Sequence, residues 1–314
     1  MKKLKIIFAG TDNFSAEYLN ALIHSPHKII SVLTQPDRPS GRGQKIHFSP
    51  VKIISINNKI PIFQPLSLNN EIFQKKIFKL NADIMIVVSY GKIIPKKLLD
   101  IFSKGCINVH PSLLPRWRGP TPIQSSILHG DTSTGISIIK MNDKIDSGTI
   151  IYSMNCNISS KDTTQSLSVK LIKIGIKGLL ETLENIILNN IFEKKQDEKN
   201  ITLSRKIYKK DALLNWNIQA QQLERLIRAF NPYPVCYFMF NNQNIKVWKS
   251  TVIPTIEKNF SIGEIICLDK YGMQIKTSYQ ILNIQKIQLP GKTIIDIKNI
   301  VTSKKNFFKP GIIL

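Results

Sequence analysis

The chain has 314 residues, 44 Lys and Arg against 21 Asp and Glu for a formal net charge of +23, and a 42% hydrophobic share. That share excludes a disordered chain, and the length predicts two domains, each burying its own core. No apolar run approaches the roughly 20 residues that cross a bilayer, which excludes a membrane-spanning protein and predicts a cytoplasmic address.

The first two thirds alternates short β-branched runs with helical patterns, which predicts a mostly parallel α/β sheet. The apolar stretch after the first lysines is too short for a signal peptide and reads as strand one, residues 4–8. A helix over 14–23 follows, with Gly10 as a tight strand-to-helix turn. The phosphate-loop patterns G-x-G-x-x-G and G-x-x-x-x-G-K-[ST] are missing, so no dinucleotide or ATP site is expected. Strand two covers 29–33. Residues 35–45 carry Pro, Gly and Ser and read as a basic loop with Arg38, Arg42 and Lys45. A short strand at 61–63 and a helix through Ile72, Ile77 and Leu80 come next. The continuous apolar run 84–88 suits a central strand buried on both faces. A helix after Pro95 leads to a strand at 106–110. Strands at 134–141 and 149–152 and an amphipathic helix over 165–188 complete a Rossmann-like domain at 1–189.

Residues 190–209 are charged and polar and read as a surface linker. Beyond them lie Trp216, a helix over 220–230 and the turn Asn231-Pro-Tyr-Pro234. Short strands then recur between Asn241-Asn242, Pro254, Gly263, Tyr271-Gly272 and Pro290-Gly291, a spacing that predicts a C-terminal OB-like β-barrel domain at 210–314.

The most informative stretch is Cys106-Ile-Asn-Val-His-Pro-Ser-Leu-Leu-Pro-Arg-Trp-Arg-Gly119. With a strand period of two, Asn108 and His110 point to one side at the end of an apolar strand. A carboxamide donor and an imidazole aimed at one point can hold an oxyanion and move a proton. Asp146, in Asp146-Ser-Gly148, is placed to orient His110 or relay its proton. Whether His110 or a water accepts the proton is open. Ligands of parallel sheets bind beyond the carboxyl ends of the strands, where Asn108 and His110 fall. The cysteines Cys106, Cys156, Cys236 and Cys267 form no CxxC pair, so neither zinc nor a disulfide framework is expected. Cys106 shares the face of Asn108 and His110 and reads either as a small core residue or as a Cys-His nucleophile.

These residues resemble the Asn-His-Asp site of the folate-dependent formyltransferases. Ile6-Ile-Phe-Ala-Gly-Thr11, Thr34-Gln-Pro-Asp-Arg-Pro-Ser-Gly-Arg-Gly43, Ile227-Arg-Ala-Phe-Asn-Pro232, Lys246-Val-Trp-Lys249 and Phe308-Lys-Pro-Gly311 extend the resemblance over nearly the whole chain. It implies a catalytic set of Asn108, His110 and Asp146, no metal, and 10-formyltetrahydrofolate as formyl donor. The folate is expected near Ser89, Tyr90, Gly91, Ile93 and Pro95, with Ser112, Leu113, Leu114 and Pro115 beside them. The implied acceptor is initiator methionyl-tRNA, held by Arg38, Arg42 and Lys45 of the basic loop and by Lys206, Lys209 and Lys210, with further backbone contacts from Lys246 and Lys249. A monomer is expected. The net charge of +23 agrees with a nucleic-acid partner, although an AT-rich genome produces the same Ile, Lys and Asn bias. A formyltransferase with a small amine acceptor, a formyl-folate hydrolase and a catalytically silent RNA-binding protein are the rival readings.

Overall fold

A computed structural model describes residues 3–40, 43, 45–255, 259–303 and 307–314. The chain divides into two compact units, the first comprising Met1–Pro122, Ser133–Asn157 and Ser168–Arg205, the second Ile123–Thr132, Ile158–Leu167 and Lys206–Leu314.

In chain order the first two thirds forms β1 (Lys5–Gly10), α1 (Asn13–Ile23), β2 (Lys28–Leu33), β3 (Arg38–Ser40), β4 (Lys45–His47), α2 (Pro50–Asn57), β5 (Ile62–Phe63) and α3 (Glu71–Lys79). Then come β6 (Ile84–Val88), α4 (Lys96–Leu99), β7 (Cys106–His110), α5 (Pro122–Leu128), β8 (Ser133–Lys140), β9 (Thr149–Asn157) and α6 (Thr164–Ile187). The main sheet has seven strands in the order β5-β2-β1-β6-β7-β8-β9. β5, β2, β1, β6 and β7 are parallel, and β8 and β9 run antiparallel at one edge. The order reverses between β1 and β6, and the crevice at the carboxyl ends of such a pair is where open α/β sheets bind ligands.

Each central element follows from its residues. β6 is five β-branched or apolar residues, all fully or nearly fully buried, as a strand covered on both faces requires. On one face Ile7, Ala9, Met85, Val87 and Cys106 pack with Leu33, Leu98 and Phe102. The Asp12 side chain caps α1 by accepting from the Ser15 backbone N–H at 2.9 Å. Burial pushes the Asp12 carboxyl up, against the lowering effect of the Ser15 hydrogen bonds. Gly10 ends β1, and a Cβ there would lie 2.7 Å from the Ser15 Cβ and 2.8 Å from the Phe8 ring, so glycine lets the strand end pack closely on the start of α1. The α6 helix approaches closely through glycines: a Cβ at Gly175 would meet the Tyr18 hydroxyl at 1.9 Å.

Two sequence expectations need correction here. Residues 35–45 are not wholly loop, since Arg38 pairs with His47, Pro39 with Ile46 and Ser40 with Lys45 in a short antiparallel hairpin. Pro39 is tolerated because a two-stranded ribbon leaves an edge on which no N–H is needed. The last strand continues beyond 152 to Asn157. Its second half alternates exposed and half-buried residues, the pattern of an edge strand whose outer face is polar.

In the second unit, α7 (Ala220–Ala229) buries Ala220, Leu223, Ile227 and Ala229 and leads into a turn with cis peptides at Asn231–Pro232 and Tyr233–Pro234. It is followed by β10 (Tyr237–Phe240), β11 (Gln243–Ile253), β12 (Ile265–Asp269), β13 (Gly272–Lys276), β14 (Ile281–Gln288), β15 (Ile294–Asp296) and α8 (Ile297–Ser303). The strands form one antiparallel sheet, β10-β11-β14-β13-β12, with β15 added to β14. Trp216, Phe238, Phe240 and Phe308 cluster in its core, at ring separations of 4.8 to 6.1 Å. The C-terminal region is thus an antiparallel strand domain, as the turn spacing predicted at that level.

Candidate active site

The carboxyl end of β7 carries the candidate site, all of it within the first unit. Asn108 and His110 share a face, as the strand period requires, and the loop after β8 and before β9 brings Asp146 to them. The Asn108 carboxamide donates from Nδ2 to Asp146 Oδ1 at 3.0 Å. His110 Nδ1 lies 3.5 Å from Asp146 Oδ2; the His110 side chain is buried and that of Asp146 partly so, 5% and 12% exposed. The Gly119 backbone N–H donates to the same Oδ2 at 2.9 Å. Two N–H donors therefore hold the carboxylate in charge-assisted bonds, and His110 Nδ1 faces it as a third neighbour.

His110 is held at its other end as well. Its Nε2 is 3.0 Å from the Trp117 carbonyl oxygen. A carbonyl only accepts, so Nε2 carries the hydrogen in this geometry. Nδ1 is then a lone pair in the neutral ring and a donor in the imidazolium. A proton taken up by the ring arrives at Nδ1, between the imidazole and the Asp146 carboxylate.

The loop following β7 is built to present these backbone groups. Leu114–Pro115 is a cis peptide, and Trp117 and Gly119 have φ of 61° and 114°. Ser112 donates its hydroxyl to the Arg116 carbonyl at 2.6 Å, and Ser137 donates to the Ser112 carbonyl at 2.8 Å while accepting from the Leu114 N–H at 3.0 Å. Gly119 is required on two counts: its φ is positive, and a Cβ would stand 2.6 Å from the Ser204 carbonyl oxygen. Asp146 itself has a φ of 49°, a conformation that Asp tolerates better than most residues.

The residues expected to border a folate fall at the carboxyl ends of β6 and β7. Ser89 and Gly91 have φ of 46° and 77°. The Tyr90 carbonyl accepts from the Thr11 hydroxyl at 3.1 Å and from Gln35 Nε2 at 3.0 Å, which ties the loop after β6 to the ends of β1 and β2. Tyr90 is buried, its hydroxyl has no hydrogen-bond partner, and burial pushes that hydroxyl's pKa up to about 12. Ile93 is 69% exposed, Leu114 is buried, Leu113, Pro115 and Pro95 are half-buried, and Ser112 is fully buried with its hydroxyl given to the loop.

Among the basic candidates, Arg38 is exposed on β3, and Arg42 lies outside the described residues. Lys45 stands at the start of β4. The root of this hairpin is fixed by Asp37, which accepts from Lys52, and from Gln64 at 2.9 Å; Lys52 also donates to Gln64 Oε1 at 2.9 Å. Desolvation would raise the Asp37 carboxyl, but the Lys52 and Gln64 hydrogen bonds and the Lys52 charge outweigh it and hold it below the usual range. Lys92 is lowered, first by desolvation and then by the charge of Arg38, so the hairpin's positive charge is felt at the loop after β6. Lys206, Lys209 and Lys210 are exposed in the second unit, as are Lys246 and Lys249.

Cys106 resolves to the core reading. It is 2% exposed, packs with Leu98, Leu99 and Phe102, and burial, followed by the charge of Asp100, raises its thiol well above the ordinary range. A cavity of ≈ 730 Å³ borders the amino end of β7 and is lined in part by Leu99, Phe102, Cys106 and Met141. Asn108, His110 and Asp146 do not line it. Trp117, Gly119, Arg118, Gln196 and Thr202 belong to the site's framework without having been singled out by sequence. The first three lie inside the conspicuous 106–119 stretch, but Gln196 and Thr202 sit in a polar segment with no pattern to mark them.

The chain matches the Formyl transferase family model over residues 1–183 and the Formyl transferase, C-terminal domain model over residues 206–305. It is 71% identical over 314 residues, all of both chains, to a protein of Buchnera aphidicola subsp. Acyrthosiphon pisum named methionyl-tRNA formyltransferase. It is 46% identical over 308 residues, 98% of each chain, to a protein of that name from Coxiella burnetii. Among solved structures, it is similar to an N-formyltransferase from Helicobacter canadensis in complex with folinic acid and dTDP-3-aminofucose, with a TM-score of 0.66 at 20% identity, covering 90% of this chain and 99% of that one. HypX from Aquifex aeolicus in complex with tetrahydrofolic acid gives a TM-score of 0.65 at 14% identity over 96% of this chain and 47% of that one. These last two likenesses speak for the fold, while the family matches and the full-length identities carry the assignment: the chain belongs to the methionyl-tRNA formyltransferases of the formyl transferase family.

Proposed function

We propose that this protein transfers the formyl group of 10-formyltetrahydrofolate to the amino group of initiator methionyl-tRNA. The Asn108–Asp146–His110 network, in a chain matched end to end by relatives named methionyl-tRNA formyltransferase, is the observation that carries this reading.

The amine attacks the formyl carbon, a C–N bond forms, and the formyl oxygen gathers negative charge in a tetrahedral intermediate. Collapse of that intermediate breaks the bond to the donor nitrogen, which takes up the one proton that the attacking amine gives up, so the protons balance. Asn108 uses one N–H on Asp146 and keeps its second for the oxyanion. The proton lost by the attacking amine leaves toward the His110–Asp146 pair, where Nδ1 receives it and the carboxylate offsets the charge. Asp146 thus fixes both the carboxamide and the imidazole. Ser89, Tyr90, Gly91, Ile93 and Pro95, with Ser112, Leu113, Leu114 and Pro115, would hold the folate at the carboxyl ends of β6 and β7, beside the point where the sheet order reverses. Arg38, Arg42 and Lys45 would meet the acceptor tRNA, a role for which the Asp37–Lys52–Gln64 clamp fixes the hairpin root. Lys206, Lys209 and Lys210 would add salt-dependent backbone contacts. No helix among the described residues is long and apolar enough to cross a membrane; a monomer in the cytoplasm is the state we propose.

The test is an acceptor panel with a formyl-folate donor: charged initiator tRNA, charged elongator methionyl-tRNA, free methionine, a sugar-nucleotide amine, and water. Turnover on the initiator tRNA above all others is expected. Turnover on the small amine or on water without tRNA-dependent formylation refutes the reading.

A further inference from the structure

We infer that Gln196 is a positioning residue for formyl transfer, the bracket that holds the Asp146 loop against the loop carrying Trp117 and Gly119; the inference rests on the reaction proposed above. Residues 194–205 run across both loops as a strap. At one end Lys194 and Ile150 exchange two backbone hydrogen bonds of 2.8 Å each. At the other, Arg118 donates its N–H to the Thr202 carbonyl at 2.9 Å and accepts from the Ser204 N–H at 2.7 Å. The Trp117 N–H donates to the Thr202 hydroxyl at 2.9 Å. Between these anchors the Gln196 amide donates from Nε2 to the carbonyls of Asp146 and Gly148, both at 2.8 Å. Its Oε1 accepts from Arg118 Nε at 3.0 Å and Nη2 at 2.8 Å.

A carboxamide has two N–H donors and two lone pairs, and here all four are engaged. Turning the amide over would face its NH2 to a guanidinium and its oxygen to two carbonyls, so the orientation is fixed by its partners. One side chain therefore joins two loops that the main sheet does not join. Asp146 supplies its carboxylate to Asn108 and His110, and its positive φ is a conformation that persists only where the surroundings over-determine it. The Trp117 carbonyl sets the other end of His110 and lies one residue before the Arg118 that Gln196 grips. Losing Gln196 frees both loops by the fraction of an ångström on which alignment of the reacting groups depends.

Gln196→Ala removes the bracket. Gln196→Glu keeps acceptors for Arg118 but faces a carboxylate to the two carbonyls, so it breaks only the Asp146 side. Glu198→Gln, an exposed change on the same strap, is the control. The measurements are kcat, KM for donor and for charged tRNA, and the ring 15N signals of His110. Both Gln196 variants should lose roughly 10- to 100-fold in kcat, the scale of a misplaced catalytic group, with each KM within about threefold and the His110 ring signals displaced. Glu198→Gln should match the native protein. Native kcat with unmoved His110 signals in the Gln196 variants overturns the inference, and so does a loss in which both KM values rise while kcat holds. If Gln196→Ala does not fold, Gln196→Glu carries the comparison. A native protein that formylates no tRNA would sink the proposed function, and the His110 signals would still decide the role of Gln196.

Discussion

Asp146→Asn isolates what the carboxylate does, because it keeps shape and changes one acceptor into a donor. In the native site Asp146 Oδ1 takes the Asn108 N–H at 3.0 Å, and Oδ2 takes the Gly119 N–H at 2.9 Å and faces His110 Nδ1 at 3.5 Å. An amide offers one oxygen for the two N–H donors and no charge to face a protonated His110. If that oxygen stays with Gly119, its NH2 meets the Asn108 NH2, and Asn108 must turn over and present its own oxygen. That rescue preserves most of the folding energy but swings the second Asn108 N–H away from the oxyanion. The stability loss is one charge-assisted bond, about 1.5–3 kcal/mol. The catalytic loss includes an oxyanion donor, ~10²–10³ in rate, and the charge that offsets a protonated His110. We expect kcat to fall by at least about 100-fold while the folate KM changes little, since the hydrogen bonds of Asp146 go to Asn108, Gly119 and Gln196 and to none of the residues assigned to the folate. Single-turnover formylation with thermal unfolding in parallel makes the measurement. A kcat within about threefold of native in a folded Asp146→Asn protein would refute the argument that this carboxylate sets both partners.

Gly119→Ala should destabilise the protein by about 2–3 kcal/mol through a positive φ and a backbone clash with Ser204; a denaturant midpoint equal to native would show that the strap yields freely. Asp37 has a folded pKa below its unfolded one, so its stabilising contribution is full above the ordinary carboxylate range and lost as pH falls through the folded value. Asp37→Asn should therefore unfold at lower temperature than native at pH 7, and the gap should close on acidification; a gap that widens in acid contradicts the clamp. Cys106→Ala should keep substantial activity and lose on the order of 1 kcal/mol of stability for one small core side chain, and the native thiol should resist alkylation at neutral pH because burial raises it. Rapid alkylation that abolishes turnover would restore the nucleophile reading.

The parts of this molecule that the sequence disclosed are those whose information is local. β6 announces itself as five buried apolar residues in a row, and the Asn108–His110 pair follows from a period of two. The Arg38–His47 pairing was hidden because Pro and Gly signal a turn equally well whether or not the flanking chains pair. The far half of β9 was hidden because its exposed polar residues read as loop. The site was legible only in its side chains. Its remaining contacts are a Trp117 carbonyl and a Gly119 N–H, groups that nearly every residue possesses, and their aim is set by backbone angles of 61° and 114°. Gln196 was illegible for a related reason: its meaning depends on where the chain between 194 and 205 passes, and that path is set by hydrogen bonds to residues 44 or more positions away in sequence. It follows that substitutions at Gly119, Gln196 and Thr202, which alter no catalytic side chain, should disturb formyl transfer more than the composition of their surroundings suggests.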